Sequence, residues 1–305
     1  MGTTAVGKTD LVLRLADKYP IEIISVDSAL IYQDMDIGTA KPTLCELNSA
    51  PHHLINIITP LDSYSVIQFI ESTNLLIREI NNRGKIPVLV GGTMMYYNAL
   101  LNGISVLPEA NLIIRTQLEK RILDYGIDSL YIELLGIDTV AAHKINSNDR
   151  HRIIRALEVY YLSGKPISQL QKETNICVMK DVDFLSLGVL PNNREVLHSR
   201  INKRFEQMIA SGFIDEVLQL KNKYPQLSSE HTAMRCVGYY QVWQYLDNLI
   251  NKTDLLEMGK AATRQLAKRQ TTWLRSIDFI NIATDDNLNP ECLFASLQNH
   301  LKSFI

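Results

Sequence analysis

Apolar residues fall at two spacings along this chain, and the switches between them mark out its elements. Leu11, Leu13, Leu15 and Ala16 follow a glycine-bearing opening and continue a helix expected over residues 8–18. Ile21-Glu22-Ile23-Ile24-Ser25-Val26 is rich in β-branched residues and predicts a buried strand that ends at Asp27-Ser28. Residues 28–42 are polar with scattered apolar positions, which predicts a loop with a short helix. A second apolar stretch follows at Leu54–Ile58. Ser63 or Ser65 can cap a helix reaching about Asn82, with Ile67, Ile70, Ile77 and Ile80 spaced for one face. Lys85–Val90 predicts another buried strand. It runs into Gly91-Gly92-Thr93, and Thr93 heads a helix over residues 94–101.

From about Leu107 to Phe184 strand signals fade and helical periodicity dominates. Helices are expected over 110–125, 128–136, 138–145 and 149–163, the last stopped by Gly164-Lys165-Pro166. The pattern returns to strand over 184–190, then to helix over 195–211. Asp278–Ile282 is expected as a final strand, followed by a tail that is acidic from Asp285 and then helical. Strand-helix alternation on both sides of an all-helical stretch predicts an α/β domain with a helical insertion.

Composition narrows this picture. With 305 residues, 46% hydrophobic and 21% charged, the chain can bury a substantial core. A net charge of −2 means that any polyanion site is a local patch. The four cysteines are far apart and form no C-x-x-C pair, which fits a reducing, cytoplasmic setting and argues against a zinc site or a disulfide framework. No apolar run reaches membrane-spanning length, so no membrane partner is expected.

Candidate chemistry starts at the N-terminus. Gly2-Thr3-Thr4-Ala5-Val6-Gly7-Lys8-Thr9 fits G-x-x-x-x-G-K-[ST], the phosphate-binding loop. Its backbone N–H groups would surround an anion, Lys8 would reach an outer phosphate, and the Thr9 hydroxyl would face a divalent metal. Asp27, at the carboxyl end of a strand, lies where open α/β sheets bind ligands; it could instead cap the next turn, but the phosphate loop expected at the same sheet edge favours the functional role. Thr93 offers a hydroxyl to the same crevice or to its own helix. Arg200 and Arg204 share a helix face just after a strand end, where a guanidinium could neutralise a leaving phosphate. His52-His53 has no third ligand nearby and does not read as a metal site. Arg235–Trp243 mixes a cation with aromatics, as base stacking or a core edge would require. Arg152 and Arg155 share a helix face. Lys260, Arg264 and Lys268 are four apart and precede Arg269, with no acidic residue from Met258 to Arg275, so this stripe is expected to lack internal partners and to need an external anion.

These features together resemble the tRNA dimethylallyltransferases, also called tRNA isopentenyltransferases. The resemblance is carried by VDSALIYQDMDIGTAKP at 26–42, LVGGTMMYYNALLNG at 89–103, NDRHRIIRALEV at 148–159, RINKRF at 200–205, RCVGYYQVW at 235–243 and ATRQLAKRQTTWLR at 262–275. It covers nearly the whole chain. The fold it implies is α/β: a P-loop NTPase, kinase-like core of residues 1–106 and 185–305, with a parallel sheet flanked by helices, and an all-helical insertion domain at 107–184 that contacts the tRNA anticodon stem-loop. The activity it implies is transfer of a dimethylallyl group from dimethylallyl diphosphate to N6 of the adenosine immediately 3′ of the anticodon, position 37, with release of diphosphate. Asp27, Thr93 and Arg204 would be catalytic. Residues 2–9 would hold the diphosphate, with Mg²⁺ on Thr9. Asp27, Ser28, Ala29, Leu30, Thr93, Arg115, His151, Arg152, Ile153, Ile154, Arg155, Arg235, Cys236, Val237, Gly238, Tyr239 and Tyr240 would contact tRNA, as would the stripe of Lys260, Arg264, Lys268 and Arg269. A cytoplasmic monomer is expected.

Three departures stand out. The loop reads Gly-Thr-Thr where the family usually has Gly-Pro-Thr. Tyr240 replaces a usual arginine, which would remove one phosphate contact. The motif normally follows a buried strand, so a start upstream of Met1 is expected. Two rival readings predict different chemistry: a small-molecule or nucleoside kinase would use the loop for ATP, and a non-catalytic tRNA-binding paralogue would bind RNA without transferring anything.

Overall fold

The computed structural model describes residues 1–173, 182–283 and 288–303. The chain forms two compact units, Met1–Asn98 with Asp181–Ile305, and Ala99–Lys180. The expected boundaries were 107 and 184. Part of the acidic stretch from Asp285 lies outside the described residues.

In the first unit, α1 (Lys8–Ala16) leads to β1 (Ile21–Val26), all six residues of which are buried. A short helix α2 (Leu44–Ser49) precedes β2 (His52–His53). Helix α3 (Val66–Asn82) starts at Ser65, whose hydroxyl accepts the Gln68 N–H while the Gln68 side chain accepts the Ser65 N–H. Then come β3 (Ile86–Gly91) and α4 (Met94–Asn102), whose residues from Ala99 on belong to the second unit. β1 is central in a parallel sheet ordered β2-β1-β3, with Ile21 opposite Ile86 and Val26 opposite Gly91. A parallel strand covered on both faces is buried along its whole length, and β1 carries Glu22 and Ser25 into the interior along with its four apolar residues.

After the second unit, β4 (Leu187–Gly188) leads to α10 (Arg194–Ala210), α11 (Phe213–Lys223), a one-turn 3₁₀ helix at Thr232–Arg235, α12 (Tyr239–Leu246) and α13 (Lys252–Leu274). β5 (Ile280–Asn281) pairs in parallel with β4, and α14 (Pro290–Lys302) follows. Met1 and Gly2 run alongside β4. Gly2 bridges Val189, the Val189 N–H donates to Met1 O at 2.9 Å, and the Met1 amino group donates to Leu187 O at 2.7 Å. The strands expected over 184–190 and 278–282 are only two residues long, because pairing is confined to 187–188 and 280–281.

Residues 28–42 contain no helix. Their backbone is instead held from a distance. The buried Glu216 of α11 accepts the N–H groups of Asp36, Ile37 and Gly38 at 3.0, 2.6 and 3.2 Å, and the Tyr239 hydroxyl donates to the same carboxylate at 2.6 Å. Lys41 Nζ donates to Tyr32 O, Asp36 and Asn56. Phe213 and Tyr239 pack edge to face beneath this loop. A side chain at Gly38 would collide with both rings.

The second unit comprises α5 (Leu112–Tyr125), α6 (Ile127–Ile137), α7 (Thr139–Lys144), α8 (Arg150–Ser163) and α9 (Ile167–Glu173), around a core that includes Leu118, Leu130, Leu134, Ile153 and Leu157. Asn111, Asp138 and Asp149 cap α5, α7 and α8 through side-chain oxygens. Gly164 ends α8 in the left-handed conformation.

Candidate active site

The loop ahead of α1 is shaped by two residues in the left-handed region, Ala5 at φ 64° and Gly7 at φ 91°. Glycine adopts that conformation freely, whereas an alanine does so at a cost. The turns aim the loop at the N-terminus of α1, whose unpaired N–H groups and dipole favour an anion. Lys8 folds back, donating from Nζ to Thr3 O at 2.7 Å. Burial lowers its pKa to about 8, and the nearby Arg204 pushes the same way, while Asp27 opposes both.

Ile23, Ser25 and Asp27 share one face of β1, following the strand's two-residue period. All three line a cavity of about 460 Å³, which Thr4, Lys8, Thr9, Gly92, Arg204, Cys236 and Gln270 also line. The phosphate loop and the strand-end carboxylate therefore open into one space. Asp27 accepts the Ala29 N–H at 2.9 Å, so it also makes the local turn expected of a capping Asp. Burial raises its pKa above the ordinary carboxylate value, and the Ala29 hydrogen bond, Lys8 and Arg204 pull the other way. Arg204 enters from α10, one turn beyond Arg200. Burial lowers its pKa, and Asp27 counteracts that. Arg200 turns elsewhere, donating to Leu288 O at 3.0 Å. Cys236 is pushed up to about 12 by burial and by Asp27, so this cavity-wall thiol stays protonated.

Thr93 lies beside this wall. Its N–H donates to Val26 O at 3.1 Å, and its hydroxyl accepts the Ser28 N–H at 3.0 Å and donates to Ser28 Oγ at 3.3 Å. The hydroxyl is thus engaged by Ser28. Ala29, Leu30 and Val237 line the cavity, whereas Ser28 and Tyr240 are exposed. Gly238 is buried, with φ 93°.

Several residues expected to contact RNA are buried or have partners within the fold. Ile153 and Ile154 are core residues of the second unit, 0% and 5% exposed, because they fall on the inward face of α8; their side chains are unavailable to a ligand. His151 and Arg152 lie on the outer face and are exposed. Arg115 and Arg155 both bind the fully buried Glu158, at 2.8 and 2.7 Å, while their own side chains stay partly exposed. Tyr239 is fully buried and committed to Glu216. Arg235 is exposed and pairs with Glu230. The stripe on α13 does have internal partners, supplied largely by α10 across the packing interface. Lys260 binds Glu206 at 2.8 Å as well as Glu257, and Arg264 donates to Asn202 at 2.8 Å. Lys268 and Arg269 remain exposed. His52 Nδ1 lies 2.7 Å from Ala50 O, and His53 pairs with Glu22.

One cavity residue carried no signal in the sequence. Gln270, on the inward face of α13, accepts the Thr4 N–H at 2.8 Å and donates to Gly92 O at 2.9 Å. It sits among the basic residues of the stripe, and its role follows only from where α13 packs.

A phosphate loop at the edge of a parallel sheet, with a carboxylate and a guanidinium facing it across one cavity, defines the class of P-loop proteins that act on phosphorylated substrates. The IPP transferase family model matches residues 30–277. A tRNA dimethylallyltransferase of Chromobacterium violaceum is 50% identical over 282 residues, covering 92% of this chain and 86% of that protein. One of Neisseria meningitidis serogroup A is 50% identical over 276 residues, covering 90% and 88%. Among solved structures, the tRNA isopentenylpyrophosphate transferase of Bacillus halodurans superposes with a TM-score of 0.65 at 34% identity, covering 99% of this chain and 97% of that one. A eukaryotic dimethylallyltransferase described as acting on tRNA gives 0.72 at 32%, covering 90% and 68%. The chain belongs to the IPP transferase family.

Proposed function

We propose that this protein transfers a dimethylallyl group from dimethylallyl diphosphate to N6 of the adenosine immediately 3′ of the anticodon in tRNA, releasing diphosphate. The single observation that carries the reading is the shared cavity: Asp27 opens into the same space as the phosphate loop, with Arg204 on the facing helix. The similarity to proteins named tRNA dimethylallyltransferase supplies the substrate class.

The chemistry suits these groups. The lone pair of an exocyclic adenine amine is delocalised into the ring, so the amine is a weak nucleophile. As its nitrogen bonds to the allylic carbon, the carbon–oxygen bond to diphosphate breaks and a proton leaves the nitrogen. Asp27 accepts that proton, and its raised pKa makes it a stronger base than an exposed carboxylate. Lys8, Arg204 and the loop N–H groups hold the leaving diphosphate as its charge grows.

Among the described residues no cluster of three His, Cys, Asp or Glu could hold a metal by itself. Mg²⁺ commonly binds through one or two protein ligands together with substrate phosphates, and the Thr9 hydroxyl at the cavity wall fits that role. When bound there the ion would screen diphosphate charge.

Incubation with labelled dimethylallyl diphosphate, Mg²⁺ and an unmodified anticodon stem-loop tests the reading. Label should enter the RNA, and Asp27→Ala and Arg204→Ala should each remove most of it while RNA binding persists. Phosphate transfer from ATP to a small molecule, without prenylated RNA, would overturn it.

A further inference from the structure

We infer that Gln270 is a positioning residue: it fixes the phosphate loop against the turn after β3, and so sets how tightly the loop takes a diphosphate. This rests on the reading of the cavity given above.

The side chain is 8% exposed, and both ends of its amide are used by backbone from separate segments: Oε1 by Thr4 N–H and Nε2 by Gly92 O. Few side chains could replace it. Glutamate of the same length accepts but, when ionised, cannot donate; leucine does neither; lysine donates only. The loop it holds contains two left-handed residues, so a tether that keeps its N–H groups aimed has something to resist. Gly92 makes room for the tether: a Cβ there would lie 2.5 Å from Gln270 Nε2, and the next nearest atom outside Gln270 is 3.6 Å away. Gly92 also precedes Thr93, which bonds Val26 O and Ser28 on either side of Asp27. One amide therefore joins the anion cradle to the turn that steadies the base.

The test combines pyrophosphate affinity by calorimetry, KM and kcat for dimethylallyl diphosphate, stem-loop affinity and melting temperature. Gln270→Ala should weaken pyrophosphate binding and raise KM roughly tenfold, as expected for two lost hydrogen bonds, with stem-loop affinity within about twofold of the parent. Gln270→Glu, nearly isosteric, should weaken pyrophosphate more than Gln270→Ala, because it adds negative charge beside the anion. Gly92→Ala should reproduce the Gln270→Ala loss, yet add almost nothing in a Gln270→Ala background, where its Cβ meets no amide. Should Gln270→Ala not fold, Gln270→Glu and Gly92→Ala decide. Unchanged pyrophosphate affinity and KM in Gln270→Glu overturns the assignment, as does additivity of Gly92→Ala with Gln270→Ala, or a loss confined to RNA affinity. Failure of the parent protein to bind pyrophosphate would instead sink the reading of the cavity.

Discussion

Lys8 and Asp27 face one cavity from the phosphate loop and the end of β1, and each opposes the effect of burial on the other. Burial disfavours the charged forms of both the ammonium and the carboxylate. An anion bound here would favour the charged form of Lys8.

Burial lowers the Lys8 pKa from its ordinary 10.5 to about 8. A bound pyrophosphate favours the charged ammonium and raises that value. Binding near pH 8.5 should therefore take up a substantial fraction of a proton. Calorimetry in buffers of different ionisation enthalpy measures the uptake, and Lys8→Met should abolish it. The same shift makes the protonated Lys8 a cost to folding below pH 8, and the cost fades as pH rises toward 10.5.

Asp27 has the opposite sign. Its folded pKa is raised, so the fold binds this proton more tightly than the unfolded chain does, and the ionised carboxylate costs stability above that pKa. Asp27→Asn should raise the melting temperature at pH 7, with the gain shrinking on acidification. It should also lower kcat by ~10²–10⁴, the range for loss of a general base. The acid limb of the kcat/KM profile should lie above the ordinary aspartate value and should vanish in the variant.

Within one turn of α8, Ile153 is buried in the core of the second unit while Arg152 is exposed. Ile153→Ala should destabilise that unit by about 2–5 kcal/mol, the usual range for a buried isoleucine, seen as an earlier unfolding transition. Arg152→Ala should leave that transition in place, weaken stem-loop binding, and reduce its salt slope by about one phosphate contact.

Glu216→Ala would strand three backbone N–H groups and the Tyr239 hydroxyl. A buried donor left unsatisfied costs about 1–3 kcal/mol, so a melting temperature depressed well beyond that of a surface substitution is expected. The variant should also raise KM for dimethylallyl diphosphate, since Gly38 and Tyr239 both line the cavity.

Local patterns were legible where local physics decides. The β-branched runs of β1 and β3, a serine cap at residue 63 or 65 and the Gly164 stop could all be read locally, and the phosphate loop with Asp27 at a strand end was enough to point to one shared cavity. What could not be read depends on partners far away in the chain. Residues 28–42 looked capable of a short helix, but Glu216, some 180 residues on, supplies the hydrogen bonds that a helix would have made. The α13 stripe looked unpaired because Glu206 and Asn202 lie on another helix. Gln270 reads as one more polar position until α13 is packed against the loop. Ile153 and Ile154 share a motif with exposed cations, and only the helix phase tells core from surface.

The carboxylate of Glu216 already gathers the amide hydrogens of residues 36–38 before any substrate arrives. That stretch of wall needs no ordering at the moment of encounter, so little entropy is lost there on capture. A substrate thus meets a finished surface on that side, its order set by folding and not by binding.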